Sequence, residues 1–389
     1  MKSSLFSPRR AGSKLALSAT GALVLLAVAA CSGGGETPEP STDDGGSTWG
    51  IELPDYYPEN YSDIIEASKA EGGELVIQSN TSQENWAPIF AAFQEKYDWA
   101  EKVSANNLDS DEVFQRTLSE QATGNVTVDL AVSNATGAWA EFAETDGALM
   151  AYESPEAAEL PDYAELLPNV YAMSTDPMLL IYNTALMDEA PTGIAHLAEM
   201  VAADPDRFTD KIEIRDPESS FGFTINYNFI EATEGAWDSY EAILPVSRPE
   251  TSSGTMTEKL ISGEYVAGFL ISGSSFPAVE GSGGLVEAVY PDDGTVVLPR
   301  GIGIVEGAPH PATAKLLLDF VMSQEGQQAV AEGGLASYRE GVEAGEGIHT
   351  YQEIADIVGE DNIVFVPYEV YPEDVINEFL DRFYGYMGQ

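Results

Sequence analysis

The chain has 389 residues, with 65 Asp or Glu against 17 Lys or Arg and a formal net charge of −48. Such a field repels nucleic acid and anionic lipid at long range, which argues against either as a binding partner. With 44% hydrophobic residues the chain can still bury a large core, and its length suits two domains.

Residues 1–30 read as a signal peptide. Lys2, Arg9, Arg10 and Lys14 give a positive leader, and residues 15–30 (LALSATGALVLLAVAA) follow as an apolar run. That run is about sixteen residues long, short of the ~20 needed to span a bilayer. It ends in Val28-Ala29-Ala30-Cys31, which resembles a bacterial lipobox. The resemblance implies cleavage before Cys31 and a diacylglycerol on its thiol. Two or more acyl chains hold a protein on a membrane, whereas one is marginal. Cleavage after Ala-x-Ala would instead leave the chain's one cysteine as a free thiol, a liability in an oxidising compartment. Residues 32–50 (SGGGETPEPSTDDGGSTWG) offer almost nothing to bury, so 31–56 is expected to be a flexible tether from membrane to domain.

From there strand and helix signals alternate. Residues 74–79 (ELVIQS), behind Gly72-Gly73, form a short apolar run expected to be a buried strand. Trp86, Phe90, Phe93 and Tyr97 then recur on one helical face. Further strands are expected at 127–133 (TVDLAVS), 178–182 (MLLIY) and 265–271 (YVAGFLI). Pro311 opens a helix through HPATAKLLLDFVMSQEGQ, since its missing N–H would be unpaired at a helix start in any case. Alternating elements of this kind predict α/β layers with parallel sheets.

Six of these pieces occur in the order found in the iron(III)-type family of ABC transporter solute-binding proteins. They are GGELVIQSN, VTVDLAVSN, GALMAYESPEA, LLIYNTALM, KLISGEYVAGFLI and the stretch IGIVEGAPHPATAKLLLDFVMSQEGQ with GGLASYRE. The resemblance spans about residues 57–340. It implies a class II, two-lobe periplasmic-binding-protein-like α/β fold with the ligand in a cleft between lobes. On it, lobe 1 is expected at 57–173 with 302–345 and lobe 2 at 174–301 with 346–389. It further implies an extracytoplasmic monomer that captures a small-molecule solute by hinge closure and delivers it to an ABC permease and ATPase, with no cofactor.

The loops that face the cleft in this family correspond here to Asn80-Thr81-Ser82, residues 133–136, 215–220 and 272–275. They are rich in hydroxyls, amides and glycine, which suit an oxyanion at helix N-termini and equally serve as ordinary caps and turns. Ser79, Thr81, Ser82, Ser133, Asn134, Ser219, Ser220, Ser274 and Ser275 are therefore candidate ligand contacts. Arg300, just before the strand IGIVE, is the first choice of guanidinium for a buried anion, with Arg215 and Arg339 behind it. A sugar phosphate, phosphonate or carboxylate is the expected solute class.

Ferric members of the family carry paired tyrosines where Ser274-Ser275 stands here. Thr81-Ser82 replaces their histidine region, and Asn134 falls near their carboxylate. Neutral hydroxyls bind a hard trivalent ion poorly, so no metal site is expected there. A ferric receptor using other residues, Tyr182 or Tyr227 among them, remains the alternative, as does a receptor that presents its ligand to a membrane sensor. A secreted hydrolase is disfavoured: His196, His310 and His349 stand alone, and no G-x-S-x-G elbow or Walker loop is present. Trp86, Trp139 and Tyr182 are expected in the cores.

Overall fold

The computed structural model describes residues 51–345 and 348–388, so the leader, Cys31 and most of the expected tether lie outside the described residues. Residues from Leu53 onward form one compact unit. Its strands in chain order are β1 (Glu74–Ser79), β2 (Lys102–Asn107), β3 (Leu130–Ser133), β4 (Glu165–Leu167), β5 (Val170–Asn183) and β6 (Ile212–Arg215). They continue with β7 (Ser247–Glu250), β8 (Ala267–Ser272), β9 (Val286–Val289), β10 (Thr295–Ile304) and β11 (Ile363–Phe365).

The path of hydrogen-bonded strands runs β2-β1-β3-β10-β5-β8-β6-β7. β1 lies parallel to β2 and β3, and β6 lies parallel to β7 and β8, so each half holds a parallel α/β sheet. β5 and β10 belong to both halves. β5 pairs with β10 as far as Pro177, and from Met178 onward it pairs with β8. β10 pairs with β11 at its start and with β3 from Gly301 to its end, with a register shift between Arg300 and Gly301. These are two lobes joined by crossing strands.

The sequence explains the crossing. All fourteen residues of β5 and all ten of β10 are buried, as expected of strands covered on both faces. Each carries a proline in mid-strand, Pro177 and Pro299, which removes a ladder donor where the strand changes partner. The Pro299 carbonyl accepts from the Tyr368 hydroxyl at 2.8 Å.

Separate cores fill the lobes. One gathers Trp139, Phe114 and Phe142 under β3. Another packs Phe229, Tyr240 and Phe269 against Phe379 and Phe383 of the C-terminal helix Glu373–Met387. Trp86, Trp139 and Tyr182 are all buried. The helix starting at Pro311 is shorter than its pattern suggested. It spans Pro311–Met322 and gives way to a second helix, Gln324–Glu332. Ser323 makes the break: it leaves helical geometry, and its hydroxyl caps the new helix by accepting from Gly326 N at 3.1 Å. β3 also begins three residues later than the run 127–133 suggested, because Asp129 turns inward and its carboxylate accepts from Val76 N at 2.8 Å and His310 N at 2.7 Å.

Candidate functional site

The loops that follow the parallel strands of both lobes meet at the crossing strands around a cavity of about 340 Å³. That position, outside the carboxyl ends of strands, is where open α/β sheets bind ligands. Lobe 1 contributes Asn80 after β1, Asn107 at the end of β2 with Asp109 and Ser110 after it, and Asn134 after β3. Lobe 2 contributes Arg215 at the end of β6 and Phe221 beyond it, residues 251–254 after β7, and Ser272 at the end of β8 with Ser274 after it. Arg300 enters from crossing strand β10. The volume sits near the lower end of small-molecule sites, which suits a metabolite and not a polymer.

The two guanidiniums differ in their partners. Arg300 is buried and donates from Nη2 to the buried carboxylate of Asp176 on β5. Its Nη1 donates to Asn80 Oδ1 at 2.6 Å. Asn80 passes the contact on, donating from Nδ2 to Asn134 Oδ1 at 2.6 Å and to Ser110 Oγ at 2.8 Å. Arg300 is thus charge-compensated within the protein. Arg215 is not. Its Nη1 donates to Ser253 Oγ at 3.3 Å, its guanidinium lies 4.7 Å from the Phe221 ring centroid, and its Nε, like that of Arg300, is buried without a hydrogen-bond partner. Burial pulls its pKa down to about 10, partly offset by the charge of Asp216. The Asp216 carboxylate accepts from Tyr384 Oη at 3.0 Å and does not form an ion pair with Arg215.

The neutral groups are set as donors. Ser253 Oγ already accepts from Arg215 and from Ser272 N at 3.1 Å, so its proton is available to a ligand. Ser110 and Asn134 likewise spend acceptor capacity on Asn80. Ser272 and Ser274 share a hydrogen bond of 3.0 Å. Just before them, Leu270 has a left-handed φ of 57° at the register shift between β5 and β8. A bulge of this kind re-aims the residues after it and holds strain that only a packed surrounding sustains.

Of the expected contacts, Asn134, Ser274 and Arg300 line this cavity. Ser79 and Ser133 lie one residue short, with their hydroxyls holding the turn. Ser79 Oγ accepts from Thr81 N at 2.9 Å and Trp86 Nε1 at 3.2 Å. Ser133 Oγ accepts from Ala135 N at 3.2 Å. Ser82 and Ser219 cap the helices Gln83–Lys96 and Ser220–Ala232. Thr81 and Ser275 are buried off the lining, the Thr81 hydroxyl without a partner. Ser219 and Ser220 line a neighbouring cavity of about 600 Å³ between the lobes. Arg339 lies elsewhere in lobe 1, paired with Glu156 at 2.7 Å.

The groups that sequence reasoning missed, Asn107, Asp109, Ser110 and residues 251–254, end or follow β2 and β7. Both strands are short and polar, and their apolar signal is weak. The available signal was the Asp109 and Ser252 positions, each immediately before a helix, Ser110–Thr123 and Ser253–Ser262. Among the described residues, no group of three or more His, Cys, Asp or Glu is placed to hold a metal, and no helix is long and apolar enough to cross a membrane.

Comparison with known proteins agrees with this geometry. The model of the bacterial extracellular solute-binding protein family matches residues 89–356. A substrate-binding protein of an ABC transporter from Agrobacterium tumefaciens superposes with a TM-score of 0.70 at 23% identity, covering 81% of this chain and 94% of that one. The periplasmic binding protein AfuA from Actinobacillus pleuropneumoniae, with fructose-6-phosphate bound, gives 0.63 at 21%, covering 80% and 98%. Iron-bound HitA from Pseudomonas aeruginosa gives 0.59 at 18%, covering 80% and 99%. No curated protein sequence matches the chain.

Proposed function

The chain belongs to the bacterial extracellular solute-binding protein family, and on that premise we propose a lipid-anchored monomer that closes two lobes on a small organic solute with an anionic group. Proteins of this family act outside the cytoplasm as the solute-binding component of ABC transporters, alongside permease and ATPase subunits. We assign lobe 1 to residues 57–173 with 302–345 and lobe 2 to 174–301 with 346–389. Anchoring is read from Val28-Ala29-Ala30-Cys31.

One observation carries the choice of an anion: the cleft is walled by hydrogen-bond donors and contains a guanidinium, Arg215, with no carboxylate of its own. A ligand held by Arg215 and Ser253 on one side and Ser110 and Asn134 on the other would bridge the lobes. Closure is then driven by the differential affinity of the closed form. Ligands named for the similar structures include both a sugar phosphate and iron, so the class is read from this cleft. A ferric ion would find one uncommitted carboxylate and no tyrosine on the lining, too little anionic oxygen to offset its desolvation. No His or Lys on the lining stands beside a hydroxyl to act as its base, which favours binding over bond-breaking.

Native mass spectrometry of the purified protein, followed by solution scattering with the ligand so identified, tests the reading. An organic solute bearing an anionic group that shrinks the radius of gyration is the expected result. A ferric adduct, or a radius unchanged at saturation, would overturn it.

A further inference from the structure

We infer that the cargo is a zwitterion: a small amino-carboxylate whose anionic end meets Arg215 and whose cationic nitrogen is drawn toward Asp109 and the acidic wall beyond it. This rests on the receptor reading above and narrows its ligand class.

The charge count inside the cleft carries the argument. Asp176 cancels Arg300, which leaves Arg215 from lobe 2 and Asp109 from lobe 1 as the charged residues on the lining without an ion pair. Asp109 is exposed at the start of the helix Ser110–Thr123, yet its side chain makes no capping hydrogen bond, so its carboxylate is uncommitted. A phosphate dianion would meet one guanidinium and one opposing carboxylate. A carboxylate alone would leave Asp109 unanswered. A ligand carrying one charge of each sign satisfies both, and a net charge of zero also escapes the long-range repulsion of a chain at −48.

A second observation gives the direction. The neighbouring 600 Å³ cavity shares two walls with the cleft, because Asp109 and Ser110 line one and Asp111 and Phe114 the other, while Phe221 lines one and Ser220 and Phe223 the other. That second cavity bears Asp111, Glu141 and Glu218 and no basic residue, among the aromatic rings of Phe114, Phe142, Phe223 and Tyr371. Carboxylates and ring faces together are the chemistry that holds an ammonium, methylated or not. The gradient therefore runs from guanidinium to acid, and suits a ligand whose charges are separated by several bonds.

Calorimetry and thermal shift on the intact protein test this with four probes: 5-aminopentanoate, 5-(trimethylammonio)pentanoate, pentanoate and glucose 6-phosphate. At least one zwitterion should bind ~10-fold or more tightly than pentanoate and the phosphate, a gap of about 1.4 kcal/mol. Asp109→Asn, which removes the charge and keeps the side chain's size at an exposed position, should bring that zwitterion down to the level of pentanoate. Tightest binding of glucose 6-phosphate or pentanoate, or an Asp109→Asn variant that binds the zwitterion unchanged, would overturn the zwitterion and leave the receptor reading standing. If no probe binds and the ligand retained by the purified protein has no cationic nitrogen, the inference also fails. Absence of any retained or added ligand that closes the lobes would overturn the receptor reading with it.

Discussion

Arg300 and Asp176 form a buried ion pair between the two crossing strands, at the level where β10 shifts register. The guanidinium expected from sequence to meet the ligand is hydrogen-bonded to the protein's own carboxylate and to Asn80, while its Nε is buried without a partner. Removing one member leaves the other charged and dry. Arg300→Met should cost ~3–5 kcal/mol of stability, and Arg300→Met with Asp176→Leu should cost less than Arg300→Met alone. Chemical denaturation of the three proteins checks it; a double variant as unstable as the single one would refute the pairing argument.

Arg215 should behave differently. Arg215→Gln should weaken ligand binding by about 2 kcal/mol, roughly 30-fold, with little change in melting temperature, because no carboxylate is left unpaired. Arg215→Lys should fall between, since it keeps the charge and loses the planar fork. Titration calorimetry with the retained ligand reads both.

Glu213 on β6 is fully buried, and neither carboxylate oxygen has a hydrogen-bond partner. Burial first, and the charge of Glu250 second, push its pKa up to about 9. The folded protein therefore holds a proton that the unfolded chain releases near pH 4.5, so this residue erodes stability as pH rises between those values. Glu213→Met should be stabilising by roughly 1–3 kcal/mol at pH 8 and closer to neutral at pH 5. Melting curves of both proteins at the two pH values decide it, and equal shifts at both would count against a protonated Glu213.

Cys31→Ser should release the protein from membranes into the soluble fraction. Fractionation of cells expressing each form tests this, and a variant that remains membrane-bound would exclude lipid attachment at Cys31.

The fold was readable wherever burial on both faces left an unbroken apolar run. β1 lies where ELVIQS placed it, and MLLIY lies within β5. β2 was not readable, because KVSANN has a largely exposed polar surface and owes its place to β1 beside it. In the site, local signals pointed to loops that line the cavity, naming Asn134 itself after β3 but Ser79 and Thr81 on either side of Asn80 after β1. Ser79 and Ser133 end their strands and hold the turn, which leaves Asn80 and Asn134 to face the cleft. That Arg300 has an ion-pair partner and Arg215 has none could not be read at all. It depends on Asp176 lying across from Arg300 on another strand, a relationship set by register and separated by more than a hundred positions in the chain.

The shared strands bear on how the molecule comes apart. β5 and β10 run buried through both lobes, so neither half can lose its sheet without stripping hydrogen-bonded rungs from the other. Two cores would ordinarily give two heat-absorption peaks. Here they are wired in series, and heating should melt the whole body in a single cooperative event.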